Sequence, residues 1–305
     1  MTLLSYQVFK TVAEQGSFRK AADSLGLTPS AISHAVSALE GELGFSVLNR
    51  SKSGVTMTNY GEKLLPYVNA VLNSDESLQQ IISEFNGLKR GTVRVGCFSS
   101  VCTNWMPDIM HSFLAKYPDI SIEVYQGTYD EVADWIKTGV VDIGFLSMSS
   151  AKDLTIEPLQ RDPLLCVMPK GSPVECETEP VRKDGRELPV ISVGQLRDRP
   201  FVSQREATDA DIQNYLRENH LRVESHYHVV DDLSTIAMVA NGFGICIMPQ
   251  LVMNDIPYEV DSYMLEPAAY RIIGIAMLHP DFMAPAVRSF YQHVVDRYKE
   301  PNIEG

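Results

Sequence analysis

Ser30, Ser33, His34 and Ser37 are short polar residues that share one face of a helical run. Hydroxyls and an imidazole on such a face can donate and accept hydrogen bonds at close range, which suits reading an edge of a nucleic acid. On the opposite face Ile32, Val36 and Leu39 recur at i, i+4, i+7 and form a narrow apolar stripe. Thr28 offers a side-chain oxygen to the start of this helix, and Pro29 suits its first position because its missing N–H would be unpaired there. Upstream, Ser17 can cap a shorter helix with Phe18, Ala21, Ala22 and Leu25 at helical spacing, and Gly26-Leu27 makes the turn between the two. A short helix, a glycine turn and a second helix with a small polar face make a helix-turn-helix, whose second helix would enter the major groove. The plainer reading is a helical hairpin inside a larger α domain.

The flanking residues extend the first reading. Tyr6, Phe9, Val12 and Ala13 form a leading helix that closes a three-helix core. Downstream, a glycine-bearing turn between Arg50 and Val55 suits a β-hairpin wing. Arg19, Lys20, Arg50 and Lys52 can meet phosphate, and Thr56 and Thr58 can donate hydrogen bonds to it.

Residues 1–63 resemble the winged helix-turn-helix of LysR-type transcriptional regulators. The resemblance rests on Phe9, Ala13-Glu14, Gly16-Ser17-Phe18, Ala21-Ala22, Leu25, Ser30-Ala31-Ile32-Ser33, Leu39-Glu40, Leu43-Gly44, Leu48, Arg50, Thr58 and Gly61. Pro29 stands where that family often has Gln, and Asn59-Tyr60 replaces the usual small or acidic pair. The resemblance implies a double-stranded DNA operator, a small-molecule effector, self-association to a dimer or tetramer, and contact with RNA polymerase.

Charge is divided along the chain. The 305 residues carry a net charge of −13, which taken whole argues against nucleic acid. Residues 1–63 hold six Lys/Arg against five acids, so the acidic surplus lies in the remainder. A near-neutral head on an acidic body predicts modest affinity from one head and several heads acting together. No signal peptide or membrane span is expected, and five cysteines at positions 97, 102, 166, 176 and 246 lack metal-type spacing, which suits a reducing cytoplasm.

A helix is predicted over residues 60–88, and residues 64–90 read as a linker. Leu64, Val68, Val71, Leu78, Ile82 and Phe85 repeat at alternating four- and three-residue intervals, with Asp75 at the central seam position. Such a stripe needs a partner. The resemblance implies pairing with a second copy, and the plainer reading packs the helix on its own chain.

From residue 91 onward, short apolar strands alternate with amphipathic helices, which predicts a parallel sheet covered on both faces. Two such runs make two α/β lobes, the first from residues 91–161 and 268–305 and the second from residues 162–267, joined by two crossing strands. This is a periplasmic-binding-protein-like architecture, and the resemblance to the LysR effector domain extends over it through Phe113, Tyr117-Pro118, Gly139, Asp142-Ile143-Gly144, Gly242-Phe243-Gly244, Pro249 and the hinge-like Glu157-Pro158-Leu159. The charged spacer from Pro173 to Pro189 has no assigned role.

Ligands of such folds lie outside the carboxyl ends of strands, where helix N-termini present free N–H groups. That edge collects Ser99, Ser100, Thr103, Thr128, Ser147, Ser203 and Gln204, with Arg205 as the nearby cation. Two helix N-termini and hydroxyls favour a small carboxylate, although Ser and Thr are also ordinary caps. Asp231-Asp232 reads as a cap, and a ligand amine becomes possible if it faces the cleft.

Other chemistries have weaker footing. No nucleophile-elbow motif accompanies the Ser, His and Asp residues, so no catalytic residue is assigned. His226 and His228 share a strand face and with Asp231 or Asp232 could hold a metal, but surface histidines are the commoner case, and no metal or cofactor is expected. Cys166 and Cys176 lie ten residues apart in the second lobe; a peroxide-sensing branch of the family uses a cysteine pair there, while the apolar strand around Cys166 favours an inert thiol. Two functions remain. One is a ligand-responsive, sequence-specific transcription factor that is not an enzyme. The other is a cytoplasmic small-molecule receptor or degenerate enzyme whose N-terminal helices mediate protein contacts.

Overall fold

The computed structural model of the chain describes residues 1–51, 54–85, 90–174, 181–183, 186–204, 210–223, 227–301 and 303. The head is built from α1 (Leu3–Gln15), α2 (Phe18–Leu25), α3 (Pro29–Leu43) and an antiparallel hairpin, β1 (Leu48–Ser51) with β2 (Gly54–Met57). Each of these helices starts on a hydroxyl. Thr2 accepts from the Ser5 N–H, Ser17 from Lys20 and Thr28 from Ala31. Val8, Phe9, Val12, Ala21, Ile32, Val36 and Leu39 fill the core. Full burial of the larger ones stabilises by about 1.5–3 kcal/mol each. Glu40 on α3 accepts the Val47 and Leu48 N–H groups at 2.8 and 3.2 Å, which ties the wing to the second helix of the motif.

Next, α4 (Asn59–Phe85) runs past the wing. A Cβ added at Gly61 would lie 2.1 Å from the Val47 carbonyl oxygen, so only glycine lets the helix cross there. The expected seam divides at this point. Val68 is buried in the head core and Leu64 packs against the same cluster, because α4 lies on its own head over its first turns. These two are therefore engaged by the head of the same chain. Val71, Leu78, Ile82 and Phe85 remain 43%, 52%, 45% and 84% exposed.

The body begins with β3 (Gly91–Cys97), α5 (Ser99–Asn104), α6 (Met106–Lys116), β4 (Ile120–Gln126), α7 (Tyr129–Lys137) and β5 (Ile143–Ser147). A long strand, β6 (Thr155–Pro169), leads to β7 (Val181–Lys183), β8 (Arg186–Leu188), β9 (Val190–Ser192), β10 (Ser203–Gln204), α8 (Ala210–Glu218), β11 (His228–Val229), α9 (Asp232–Ala240) and β12 (Cys246–Pro249). The chain returns through β13 (Val260–Glu266) and β14 (Tyr270–Met277) to α10 (Pro285–Tyr298). The main sheet has the order β4-β3-β5-β14-β6-β13-β9, and β12 also pairs with β6.

One expectation changes here. The sheet is mixed: β3 is parallel to β4 and β5, but β14 runs antiparallel to β5 and β6, as do β12 and β13 to β6. The hinge-like Glu157-Pro158-Leu159 segment belongs to a strand that crosses between the lobes. It lies inside β6, whose register against β14 shifts between Ile273 and Gly274, opposite Gln160 and Pro158. Pro158 cannot donate to the ladder, which suits the bulge. One strand thus serves both lobes, pairing with β14 in the first and with β12 and β13 in the second. Among the described residues between 223 and 230, only His228–Val229 is a strand.

The lobe cores are separate. Phe113, Phe145, Phe290 and Ile143 centre the first. In the second, alternate residues of β6 enter opposite clusters: Leu164, Cys166 and Met168 on one face, Leu165 and Val167 on the other. That alternation is what a sheet covered on both sides requires.

Candidate nucleic-acid interface and interlobe cavity

The polar face of α3 is open as its spacing predicts. Ser30, His34 and Ser37 are exposed and Ser33 is half-buried, while Ile32, Val36 and Leu39 point into the core. Thr28 and Pro29 are exposed at the start of the helix, and the Thr28 hydroxyl lies 3.0 Å from that of Ser30. Arg19, Lys20 and Thr56 are exposed on the same head. Lys52 lies outside the described residues.

Two assignments shift. Arg50 folds back onto α3 rather than standing apart on the wing: its guanidinium donates to Ser33 Oγ at 3.2 Å and Ser37 Oγ at 3.4 Å, and sits 4.6 Å from the Phe18 ring centre. A cation is thereby held over the reading face itself. Thr58 is engaged internally. Its hydroxyl donates to the Ser46 carbonyl at 2.9 Å and accepts the Gly61 N–H at 3.0 Å, so it caps α4 instead of facing phosphate.

Between the lobes lies a cavity of about 370 Å³. Phe98, Ser99 and Ser100 from the start of α5, Thr128, Tyr129 and Glu131 from the start of α7, and Arg271 from β14 line the first-lobe side. Val230, Asp231, Asp232, Pro249 and Val252 line the other. Arg271 is 3% exposed and organises the floor. It pairs with Asp162 Oδ2 at 2.7–2.8 Å, donates to Tyr129 Oη at 2.9 Å and to Ser100 Oγ at 2.8 Å, and lies 4.9 Å from the Phe98 ring centre. Asp162 also accepts the Leu251 N–H at 3.0 Å, so both buried charges are hydrogen-bonded, as burial demands. The sequence reading missed this arginine, because β14 carries no ligand motif. Its signal was a lone Arg in an otherwise apolar run, Arg271 before Ile272 and Ile273.

Of the expected ligand residues, Ser99, Ser100 and Thr128 line the cavity, Thr103, Ser147 and Ser203 are not among its lining residues, and the Gln204 side chain lies outside the described residues. The Thr103 hydroxyl returns to the Ser99 carbonyl at 3.1 Å. Ser147 is fully buried beneath the sheet end, with the Ser149 hydroxyl at 3.2 Å. Ser203 and Gln204 form β10, which pairs in parallel with β11, the strand just before Val230 and Asp231 of the cavity wall. Arg205 lies outside the described residues. The start of α7 is not open to an anion either. Glu131 fills it, accepting the Thr128 N–H at 2.8 Å and the Thr128 hydroxyl at 2.9 Å. These bonds, the backbone one first, hold the Glu131 carboxyl below its ordinary value. Hydrogen bonds from Ser234 do the same for Asp231, which caps α9. The wall therefore carries ionised carboxylates near neutral pH.

Cys166 is buried in β6 and desolvation pushes its thiol up to about 12, which leaves it an inert core group. Cys176 and His226 lie outside the described residues. Among the described residues no group of three or more His, Cys, Asp or Glu is placed to hold a metal, and no helix is long and apolar enough to cross a membrane.

Comparison with known proteins assigns both halves. Residues 3–62 match the bacterial regulatory helix-turn-helix protein, lysR family, and residues 86–299 match the LysR substrate binding domain. The uncharacterized HTH-type transcriptional regulator YvbU of Bacillus subtilis is 28% identical over 280 residues, covering 91% of this chain and 92% of its own. The probable HTH-type transcriptional regulator LrrA of Synechococcus elongatus is 28% identical over 292 residues and 95% of each chain. Among solved structures, a full-length OxyR variant of Pseudomonas aeruginosa superposes with a TM-score of 0.76 at 21% identity, covering 96% of this chain and 94% of that one, which supports the shared fold. The receptor or degenerate-enzyme alternative loses its footing, since its N-terminal module is a DNA-binding one. With an exposed reading helix at one end and a two-lobed domain closing on a cavity at the other, the chain belongs to the LysR family of DNA-binding transcriptional regulators with effector-binding domains.

Proposed function

We propose that the interlobe cavity is the effector site and that its occupant carries an oxygen-bearing end and a cationic end. The observation that carries this reading is the division of the wall. Ser99, Ser100 and the Arg271 guanidinium face it from one lobe, and Asp231 and Asp232 face it from the other. Hydroxyls beside a guanidinium suit a carboxylate or carbonyl oxygen, in line with the carboxylate expectation. The Arg271 charge is already matched by Asp162, while Glu131, Asp231 and Asp232 add three carboxylates to the wall, which favour an ammonium. A zwitterion such as an amino acid meets both demands.

The same proposal has the regulator acting by binding rather than catalysis, in the cytoplasm, as a dimer or tetramer joined through the exposed part of α4, and touching RNA polymerase at its promoters. The reading surface is proposed as Arg19, Lys20, Thr28, Pro29, Ser30, Ser33, His34, Ser37, Arg50, Lys52 and Thr56. The test is a thermal-shift screen of the full chain against amino acids, diamines, dicarboxylates and polyols, since a ligand of the native state raises stability by mass action. Amino acids should raise the midpoint, and Asp232→Asn should abolish that rise. A shift with dicarboxylates alone would overturn the ligand class. Loss of duplex affinity with rising salt, with sequence preference retained, tests the DNA half.

A further inference from the structure

A single helix reaches from the cavity to the element that carries the head. The first residues of α7 and its cap, Thr128, Tyr129 and Glu131, line the cavity, and Tyr129 Oη accepts from the buried Arg271. Its other end lies nine residues on, about 13 Å away at 1.5 Å per residue. There the carbonyls of Thr138 and Gly139 accept the side-chain amides of Asn69 and Asn73 on α4, at 2.7 and 3.1 Å. Thr138 is the C-cap of α7 and Gly139 follows it, so α4 grips the chain immediately past the end of α7. Gly139, at φ +68°, allows the approach: an added Cβ would lie 3.0 Å from Asn73 Nδ2 and 3.1 Å from Asn69 Cβ.

We infer that α7 is the relay through which the state of the effector cavity reaches the DNA-binding head, with Asn69 and Asn73 as its receiving contacts. The inference rests on the cavity being the effector site. Two features set this contact apart from ordinary packing. Elsewhere α4 is anchored to parts of the first lobe that do not touch the cavity: Glu76 pairs with Arg94 of β3 at 3.0 Å, and Gln80 Oε1 accepts the Ala286 N–H of α10 at 3.3 Å. Those anchors hold the helix while α7 can press on it. In addition, Asn69 Oδ1 is buried with no hydrogen-bond partner. An unsatisfied buried acceptor is costly, so a second arrangement that satisfies it lies within reach of a modest bias. A ligand that binds one arrangement better shifts the population toward it, and the direction of α4 beyond Val68 shifts with it.

The test needs no identified effector. Tyr129→Phe perturbs the cavity end by removing one hydroxyl, and the double variant Asn69→Ala/Asn73→Ala removes the receiving contacts. Full-length chains are compared by hydrogen–deuterium exchange over residues 64–82 and by affinity for a duplex selected from a random library with the unaltered protein. Tyr129→Phe should raise exchange in this part of α4 and change duplex affinity by about fivefold, the lower range of allosteric coupling. In the background lacking both asparagines, neither effect should appear. Equal effects in both backgrounds would overturn the relay, as would unaltered exchange and affinity in Tyr129→Phe itself. Should the double variant fail to fold, Asn73→Ala alone serves, with a halved or smaller effect expected and an undiminished one refuting. A library that yields no preferred duplex would count against the DNA-binding reading, and the exchange measurement would still decide the relay.

Discussion

Arg271→Met should be among the most destabilising single changes in the first lobe. The guanidinium and its partner Asp162 have side chains 3% and 5% exposed. Removing the cation leaves Asp162 charged and buried beside the neutral Leu251 N–H, and takes the guanidinium donor from Tyr129 and Ser100. Breaking a buried pair in this way costs about 3–5 kcal/mol, most of it from the orphaned charge. Replacing both partners, as in Arg271→Met with Asp162→Leu, should recover most of that loss, because matched apolar groups in place of a buried ion pair are often close to neutral. Trp105 and Trp135 both lie in the first lobe and are the chain's two tryptophans, so urea unfolding followed by their fluorescence reports the affected region. The single variant should move the midpoint down by on the order of 1–2 M, given typical slopes. A loss below about 1 kcal/mol would refute the view that the pair is desolvated and mutually dependent. A double variant no better than the single would refute the assignment of the cost to the orphaned carboxylate.

Other changes separate roles within the molecule. Arg50→Ala should reduce the salt slope by about one and, because Arg50 also holds Ser33 and Ser37, weaken the selected site more than random duplex, while Ser33→Ala should weaken the selected site with the slope retained, both read by salt titrations of binding. An Arg50→Ala variant altered only in sequence preference would reverse these roles. Val71→Glu or Leu78→Glu places charge on the exposed half of the α4 stripe, and light scattering should show a smaller particle with poor DNA binding; an unchanged mass would sink the α4 interface. Glu131→Gln should lower the melting temperature at neutral pH and converge on the unaltered chain as pH falls below the ordinary carboxylate range. The sign follows from the depressed carboxyl: its contribution is present above the unfolded value and is lost as pH falls through the lower folded one. A gap that persists in acid would mean the glutamate acts by packing.

The local structure of the head was legible because it is written in neighbouring residues. Thr28 before Pro29, Ser17 before Phe18 and Gly26 between them specify caps and a turn through contacts no more than a few positions apart. The alternation of strands and helices beyond residue 91 was legible for the same reason. Strand direction was not, since β14 and β13 reach β6 from about a hundred residues away and their antiparallel pairing leaves no mark on a single apolar run. The α4 stripe shows the limit in one helix. Val68 and Val71 have equal standing in the repeat, yet the fold buries one in the head and exposes the other. The cavity shows it again. Thr128 and Ser99 could be placed at strand ends by topology, but Ser147 shares that placement and is fully buried outside the cavity lining. Arg271 and Asp162, which build the floor, lie 109 positions apart. Periodicity and capping act over a few residues and can be read from the chain, whereas the meeting of distant charges depends on packing, which only the assembled sheet decides.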